Sequence, residues 1–239
     1  TLLVDLDPQG GVGHSLRKGD TELLGLTDVL TGSVATREAL VRTKLETLAL
    51  LPRGRLHPAD VREYELALQE DGRLEAVLAA VEPELDLVLF DTPAGLGTPT
   101  RVALAVSRFA IVPVKAEPLA LRGLGQILTL IEHVRENENP ALTLLGLLPT
   151  MVDKAATPAM KVMAELWTGF ASVFETAIPD AAVFATASEA AVALSAWSQP
   201  AAVEFDFTAI LNERKKFAQR RRSKIQSQSA AMGISRSTA

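Results

Sequence analysis

Leu85-Asp86-Leu87-Val88-Leu89-Phe90-Asp91-Thr92-Pro93-Ala94-Gly95-Leu96-Gly97 sets an apolar run against a carboxylate and then a glycine turn. Leu87–Phe90 holds four strongly apolar positions in succession, as a strand buried on both faces does. The chain opens on the same pattern: Thr1–Leu6 (TLLVDL) is apolar, carries Asp5, and runs into Asp7-Pro8-Gln9-Gly10. Side chains alternate along a strand, so Asp5 and Asp7 are predicted on one face. An apolar strand that ends in Asp can hold a carboxylate beside a Mg²⁺ ion on a nucleotide, and a glycine turn lets backbone approach phosphate. Either ending alone fits equally an Asp that caps the next helix. The two together, DxDPQG and then DTPxGLG, are far more specific.

Outward from these two segments, strands and helices alternate. Strands are predicted at Leu45–Leu51, Phe109–Val114, Thr143–Leu148 and Phe174–Ile178, with irregular chain after the last. Helices are predicted at Leu26–Leu30, Arg37–Val41, Thr98–Ser107, Leu119–Arg135, Pro158–Phe170 and 205–219. Ala59–Val81 carries an apolar stripe through Leu66, Leu74, Val77, Leu78 and Val81, which predicts a helix broken near Gly72. Asp7–Asp20 is glycine-rich and predicts a loop. This order implies an α/β fold, a mostly parallel sheet with helices on both faces. One such domain, residues 1–219, accounts for the body. In such sheets ligands bind beyond the carboxyl ends of the strands.

Composition narrows the chemistry. The 239 residues contain no cysteine, which excludes disulfides, thiol catalysis and Cys-ligated zinc or iron–sulfur sites. His14, His57 and His133 lie too far apart in sequence to suggest a histidine metal site. No run approaches the roughly 18 apolar residues of a transmembrane helix, and no secretory leader is recognisable, so a cytoplasmic protein is expected. The net charge of −5 divides unevenly. From Asn212 onward eight Lys/Arg face one acid, while residues 1–211 carry 16 basic against 28 acidic residues. Residues 220–239 are predicted to be a basic tail beyond the fold. Such a run can neutralise phosphates or anionic head groups, or be a solvated helix end.

VDLDPQG (4–10), LFDTPAGLG (89–97), IVPVKAEPLALRGLGQ (111–126), LLPTMVDK (147–154) and ETAIP (175–179) follow one another in an order and spacing that resembles the ParA family of partition ATPases. These belong to the deviant-Walker P-loop ATPases, with MinD. The likeness extends from Thr1 to about Gln219, and LTDVLTG (26–32) and TLALLP (47–52) share in it. It implies a P-loop NTPase-like fold with ATP and Mg²⁺ as cofactors. By this resemblance Asp7 is the switch I aspartate that orients the attacking water, and Asp5 is the acid that supports the magnesium shell. Pro8, Gln9 and Gly10 continue switch I. Asp91 is the Walker B aspartate, so Asp7 and Asp91 serve the metal. Thr92, Pro93 and Gly95 belong to switch II, which senses the γ-phosphate. Thr150, Met151 and Pro179 match segments that line the adenine pocket.

The family's phosphate-binding loop reads KGGxGK[ST]. Gln9-Gly10-Gly11-Val12-Gly13-His14-Ser15 imitates it but fails, since G-x-x-x-x-G-K-[ST] would need Gly where Pro8 stands and Lys where His14 stands. His14-Ser15-Leu16 fits the switch I loop instead, where His14 reads first as a loop histidine in solvent and second as a catalytic base. The resemblance therefore places the first strand, the loop and the first helix upstream of Thr1, in a segment of about 30 residues. A truncated chain lacking that first βα unit is the expectation. The 239 residues alone are expected neither to bind ATP tightly nor to hydrolyse it, and an apolar groove in the sheet is expected to lower stability or promote self-association.

Where many relatives carry RNVRLSEAP, this chain reads Asp180–Ala190, and only Ser188-Glu189-Ala190 matches. Arginines that would neutralise DNA phosphates are absent there. DNA contacts would then fall to Arg214, Lys215, Lys216, Arg220, Arg221, Arg222 and Lys224 in the tail, with Lys154 and Lys161 as further candidates or as solvated charges. The resemblance implies an ATP-dependent homodimer that positions DNA or another cargo, binds nucleoid DNA without sequence preference and answers to a ParB-like partner. A MinD-like protein that reaches a membrane through the helix from Phe205, or a degenerate non-catalytic interaction protein, are the alternatives.

Overall fold

The computed structural model describes residues 1–14, 23–81 and 85–189. They fall into two compact units. The first takes its residues from 1–109, 125–143 and 182–189, the second from 110–124 and 144–181. The predicted helix 205–219, the tail 220–239 and the tail cations lie outside the described residues, as do Ser15 and Leu16.

The first unit is built on β1 (Leu2–Asp5), α1 (Gly11–His14), α2 (Leu26–Leu30), β2 (Val41–Arg42), β3 (Ala49–Leu51), α3 (Val61–Gln69), α4 (Arg73–Ala79), β4 (Val88–Asp91) and α5 (Thr98–Val106). Its sheet runs in the order β2-β3-β1-β4. β1 is parallel to β3 and to β4, while the short β2 is antiparallel to β3. This is the mostly parallel α/β arrangement predicted. Register places Asp5 directly beside Asp91, so both aspartates emerge at the same end of two adjacent strands. β1 is central, and Leu2, Val4 and Leu6 are fully buried. They pack with Leu26, Leu51, Tyr64, Leu68, Leu74 and Val77.

Within this unit several predicted boundaries shift. Arg37–Val41 is not a helix: a 3₁₀ turn spans Thr36–Ala39 and Val41 already belongs to β2. The strand predicted from Leu45 begins only at Ala49. Thr43 Oγ1 donates to the carbonyls of Leu45 and Leu48, at 3.0 and 2.9 Å, and holds this stretch in a turn. The helix predicted over 59–81 is broken as expected, with Gly72 left-handed at φ 72° between α3 and α4. Its first half is rotated from the predicted stripe: Tyr64 and Leu68, four residues apart, face the core, and Leu66 is exposed. β4 ends the sheet order among the described residues, and Leu87 and Leu89 are 46% and 47% exposed.

The second unit pairs β5 (Phe109–Lys115) with β6 (Thr143–Thr150) and adds α7 (Thr157–Gly169) and the first turns of α6 (Pro118–Asn137). Ala116, Val152, Ala159 and Met163 form a small core there. The predicted strand Phe174–Ile178 is replaced by two isolated parallel bridges, Leu147 with Val173 and Val152 with Pro179. Pro149, which lies between them, has no N–H to carry the ladder through. Residues 182–189 form α8 rather than the irregular chain predicted.

Candidate functional site

The carboxylates meet in the loop that leaves β1. Asp5 is completely buried, and a buried carboxylate needs partners. Its Oδ1 accepts from the Asp7 amide at 3.0 Å and its Oδ2 from the Val12 amide at 3.1 Å. Asp5 thus ties the loop to α1. Asp7 lies just beyond the strand rather than in it and is partly exposed. Its Oδ1 accepts from the Gln9 amide at 2.8 Å, and its carbonyl accepts from the Gly10 amide at 2.9 Å. Gly10 closes this turn in the left-handed region, at φ 70°. Pro8, Gln9 and Gly10 therefore form the tight turn under Asp7.

Asp91 ends β4 across from Asp5, and its carbonyl accepts from the Leu6 amide at 2.9 Å. Partial loss of solvent, then the nearby negative charge of Asp7, raise the Asp91 carboxyl above its ordinary value. Thr92–Gly97 follows as a turn with Gly95 at φ 137°. Thr100 Oγ1 of α5 donates to the Pro93 carbonyl at 3.4 Å. The first unit thus brings together Asp5, Asp7, Pro8, Gln9, Gly10 and Asp91, with Thr92, Pro93 and Gly95 continuing directly from Asp91.

Among the described residues no three His, Asp or Glu side chains converge as a ready metal cage. Two repelling carboxylates at strand ends suit a cation that keeps most of its water and takes further oxygens from phosphate, as Mg²⁺ does. The donor set Asp7 and Asp91 fits that description.

Thr150, Met151 and Pro179 gather in the second unit. The Val152 amide donates to the Ile178 carbonyl at 3.1 Å and the Ile178 amide to that of Pro149 at 2.9 Å. Met151 bulges between them at φ 52°, half exposed. Lys154 is exposed in the same unit. A cavity of about 580 Å³ also opens there, between α6 and α7, and among its lining residues are Arg122, Lys161 and Glu165. Lys161, a candidate for DNA, lines this cavity.

Two residues at the carboxylate loop went unread in the sequence. Arg53 is 7% exposed, and its Nη1 donates to the Pro8 carbonyl at 2.6 Å. Tyr64 is 3% exposed, and its hydroxyl donates to the Leu6 carbonyl at 3.1 Å. Burial, then the charges of Asp5 and Asp7, push the Tyr64 hydroxyl far up and keep it a donor, with Arg53 pulling the other way. The only signal in sequence was an arginine directly after the Pro52 that closes a strand.

Residues 1–144 match the family model of an AAA domain. The chain is similar to the sporulation initiation inhibitor protein Soj of Bacillus subtilis, 32% identical over 182 residues, which covers 74% of this chain and 71% of that protein. It is 34% identical over 183 residues to the chromosome partitioning protein ParA of Myxococcus xanthus, covering 75% of this chain and 64% of that protein. Its structure is similar to that of the cobyrinic acid a,c-diamide synthase from Mycobacterium smegmatis with bound ATP analog and magnesium. That likeness has a TM-score of 0.66 and 36% identity, and covers 80% of this chain and 78% of the other.

Proposed function

This chain belongs to the ParA family of AAA-domain ATPases, and from that premise we propose that it serves an ATP-driven switch that positions DNA or another cargo. The observation that carries the proposal is the placement of Asp5, Asp7 and Asp91 at the carboxyl ends of two adjacent parallel strands, with Asp7 held in a fixed turn. Asp7 and Asp91 would hold Mg²⁺, whose charge would offset that of the phosphoryl oxygens. Asp7, with one carboxylate oxygen engaged by the Gln9 amide, would orient the water that attacks the γ-phosphate. Thr92–Gly97 would sense that phosphate, and Thr150, Met151 and Pro179 would contact the base. Such enzymes work by positioning and electrostatics rather than covalent chemistry.

In this proposal ATP closes a homodimer, the dimer holds nucleoid DNA in the cytoplasm, and a ParB-like partner triggers hydrolysis. DNA retention would rest on phosphate neutralisation by Arg214–Lys224 and Lys154. The likeness to the Soj and ParA relatives supports partition over membrane anchoring. The test is magnesium-dependent phosphate release by the protein expressed from its own gene, with co-sedimentation on plasmid DNA and on anionic vesicles. Expected are release that Asp91→Ala abolishes and ATP-dependent retention on DNA alone. Absent release, or retention on vesicles only, overturns the proposal.

A further inference from the structure

Asp7 is held by more than its own turn. The two carbonyls that flank it in sequence, those of Leu6 and Pro8, each receive a hydrogen bond from a buried side chain far along the chain. Tyr64 of α3 reaches the first at 3.1 Å and Arg53 the second at 2.6 Å. Arg53 is itself anchored. Its carbonyl accepts from both the amide and the hydroxyl of Thr27, at 2.8 and 2.9 Å, and the neighbouring Pro52 carbonyl accepts from the Leu26 amide at 2.8 Å. The start of α2 therefore fixes the backbone from which the guanidinium extends.

A buried guanidinium is costly, and an apolar side chain of similar volume would often serve stability as well or better. The planar fork explains its use here: Nη1 serves the Pro8 carbonyl while Nε donates to that of Gly54 at 3.1 Å. A lysine offers one nitrogen and cannot present two donors in that geometry.

We propose that Arg53 and Tyr64 are positioning residues that clamp the Leu6 and Pro8 carbonyls and so set where the Asp7 carboxylate stands. The consequence for hydrolysis rests on the function proposed above; the clamp itself does not. Arg53→Met keeps bulk and removes both donors, and Arg53→Lys keeps the charge. In amide hydrogen exchange without nucleotide, Arg53→Met should raise exchange at Gln9 and Gly10 by about tenfold or more, and leave β4 within about twofold. Arg53→Lys should recover part of the protection. In turnover, Arg53→Met should lower kcat by about tenfold with KM within about twofold, the mark of a lost transition-state contact. Should Arg53→Met fail to fold, Tyr64→Phe takes its place, with the rise expected at the same amides.

Unchanged exchange at Gln9 and Gly10 overturns the clamp. So does a rise shared equally by β4 and α5, which marks general loosening, or a change confined to KM. If the wild type releases no phosphate, the ATPase proposal fails while the exchange measurement still decides the clamp.

Discussion

Gly25 and Gly54 meet backbone to backbone under the loop that bears Arg53, and this contact sets a measurable cost. Gly54 has φ 84°, and a Cβ there would lie 2.7 Å from Asp28 Oδ2, 2.7 Å from the Gly25 nitrogen and 2.8 Å from the Gly25 Cα. Gly54→Ala therefore incurs two penalties. The left-handed backbone costs an L-residue about 1–2 kcal/mol. The overlap forces Asp28 away, and Asp28 is nearly buried and accepts from the Gly25 amide at 3.0 Å and from Arg55 at 2.9 Å. Loss of a hydrogen bond to a buried carboxylate adds about 1–3 kcal/mol. Together about 2–5 kcal/mol is expected, a large share of the stability of an ordinary domain. Gly32 is the control, because its φ is 73° but nothing lies within 4 Å of its would-be Cβ. Gly32→Ala should cost only the first part, about 1–2 kcal/mol. Urea unfolding followed by circular dichroism measures both through the midpoint at constant slope. Equal losses for the two variants would refute the close approach as the cause.

Further outcomes are expected. Tyr64→Phe leaves the ring in the core but strands the Leu6 carbonyl, so about 1–2 kcal/mol of stability should be lost in the same unfolding assay. Asp91 holds its proton more tightly folded than unfolded, so its contribution to stability falls as pH rises from the ordinary carboxylate value through the raised one, and the deficit persists above. Asp91→Asn should therefore raise the melting temperature at about pH 7, with a gain that shrinks towards pH 3; a gain independent of pH would contradict the raised Asp91 carboxyl, whose causes are burial first and Asp7 second. Replacing Arg220, Arg221 and Arg222 with Glu should weaken DNA retention and flatten its salt dependence by about three phosphate contacts; unchanged retention would remove the tail from the DNA site.

What could be read in advance follows from locality. Asp5 and Asp91 were legible because an apolar run fixes a strand and its end fixes the carboxylate, and both steps lie within a few residues. The break at Gly72 was legible for the same reason. Arg53 and Tyr64 were not, because their acceptors are 45 and 58 residues away in the chain. An arginine after Pro52 has the sequence signature of a solvated turn, and burial at that point depends on α2 docking beside it. The phase of α3 misled because Leu66 outranks Tyr64 in hydrophobicity, whereas the face that packs inward carries Tyr64 and Leu68, with the Tyr64 hydroxyl on the Leu6 carbonyl. The segment 174–178 has the composition of a strand, and its ladder fails because of its neighbour, Pro149.

Tyr64 is the single tyrosine in 239 residues. Its phenol is bonded to the peptide group next to Asp7 and is kept from ionising by burial and by the carboxylates around it. The chain therefore carries a built-in optical gauge at one address. Within these 239 residues phenolate absorbance in an alkaline titration can arise from no other side chain, and its delay beyond the usual range reports that the Leu6–Pro8 turn is still closed.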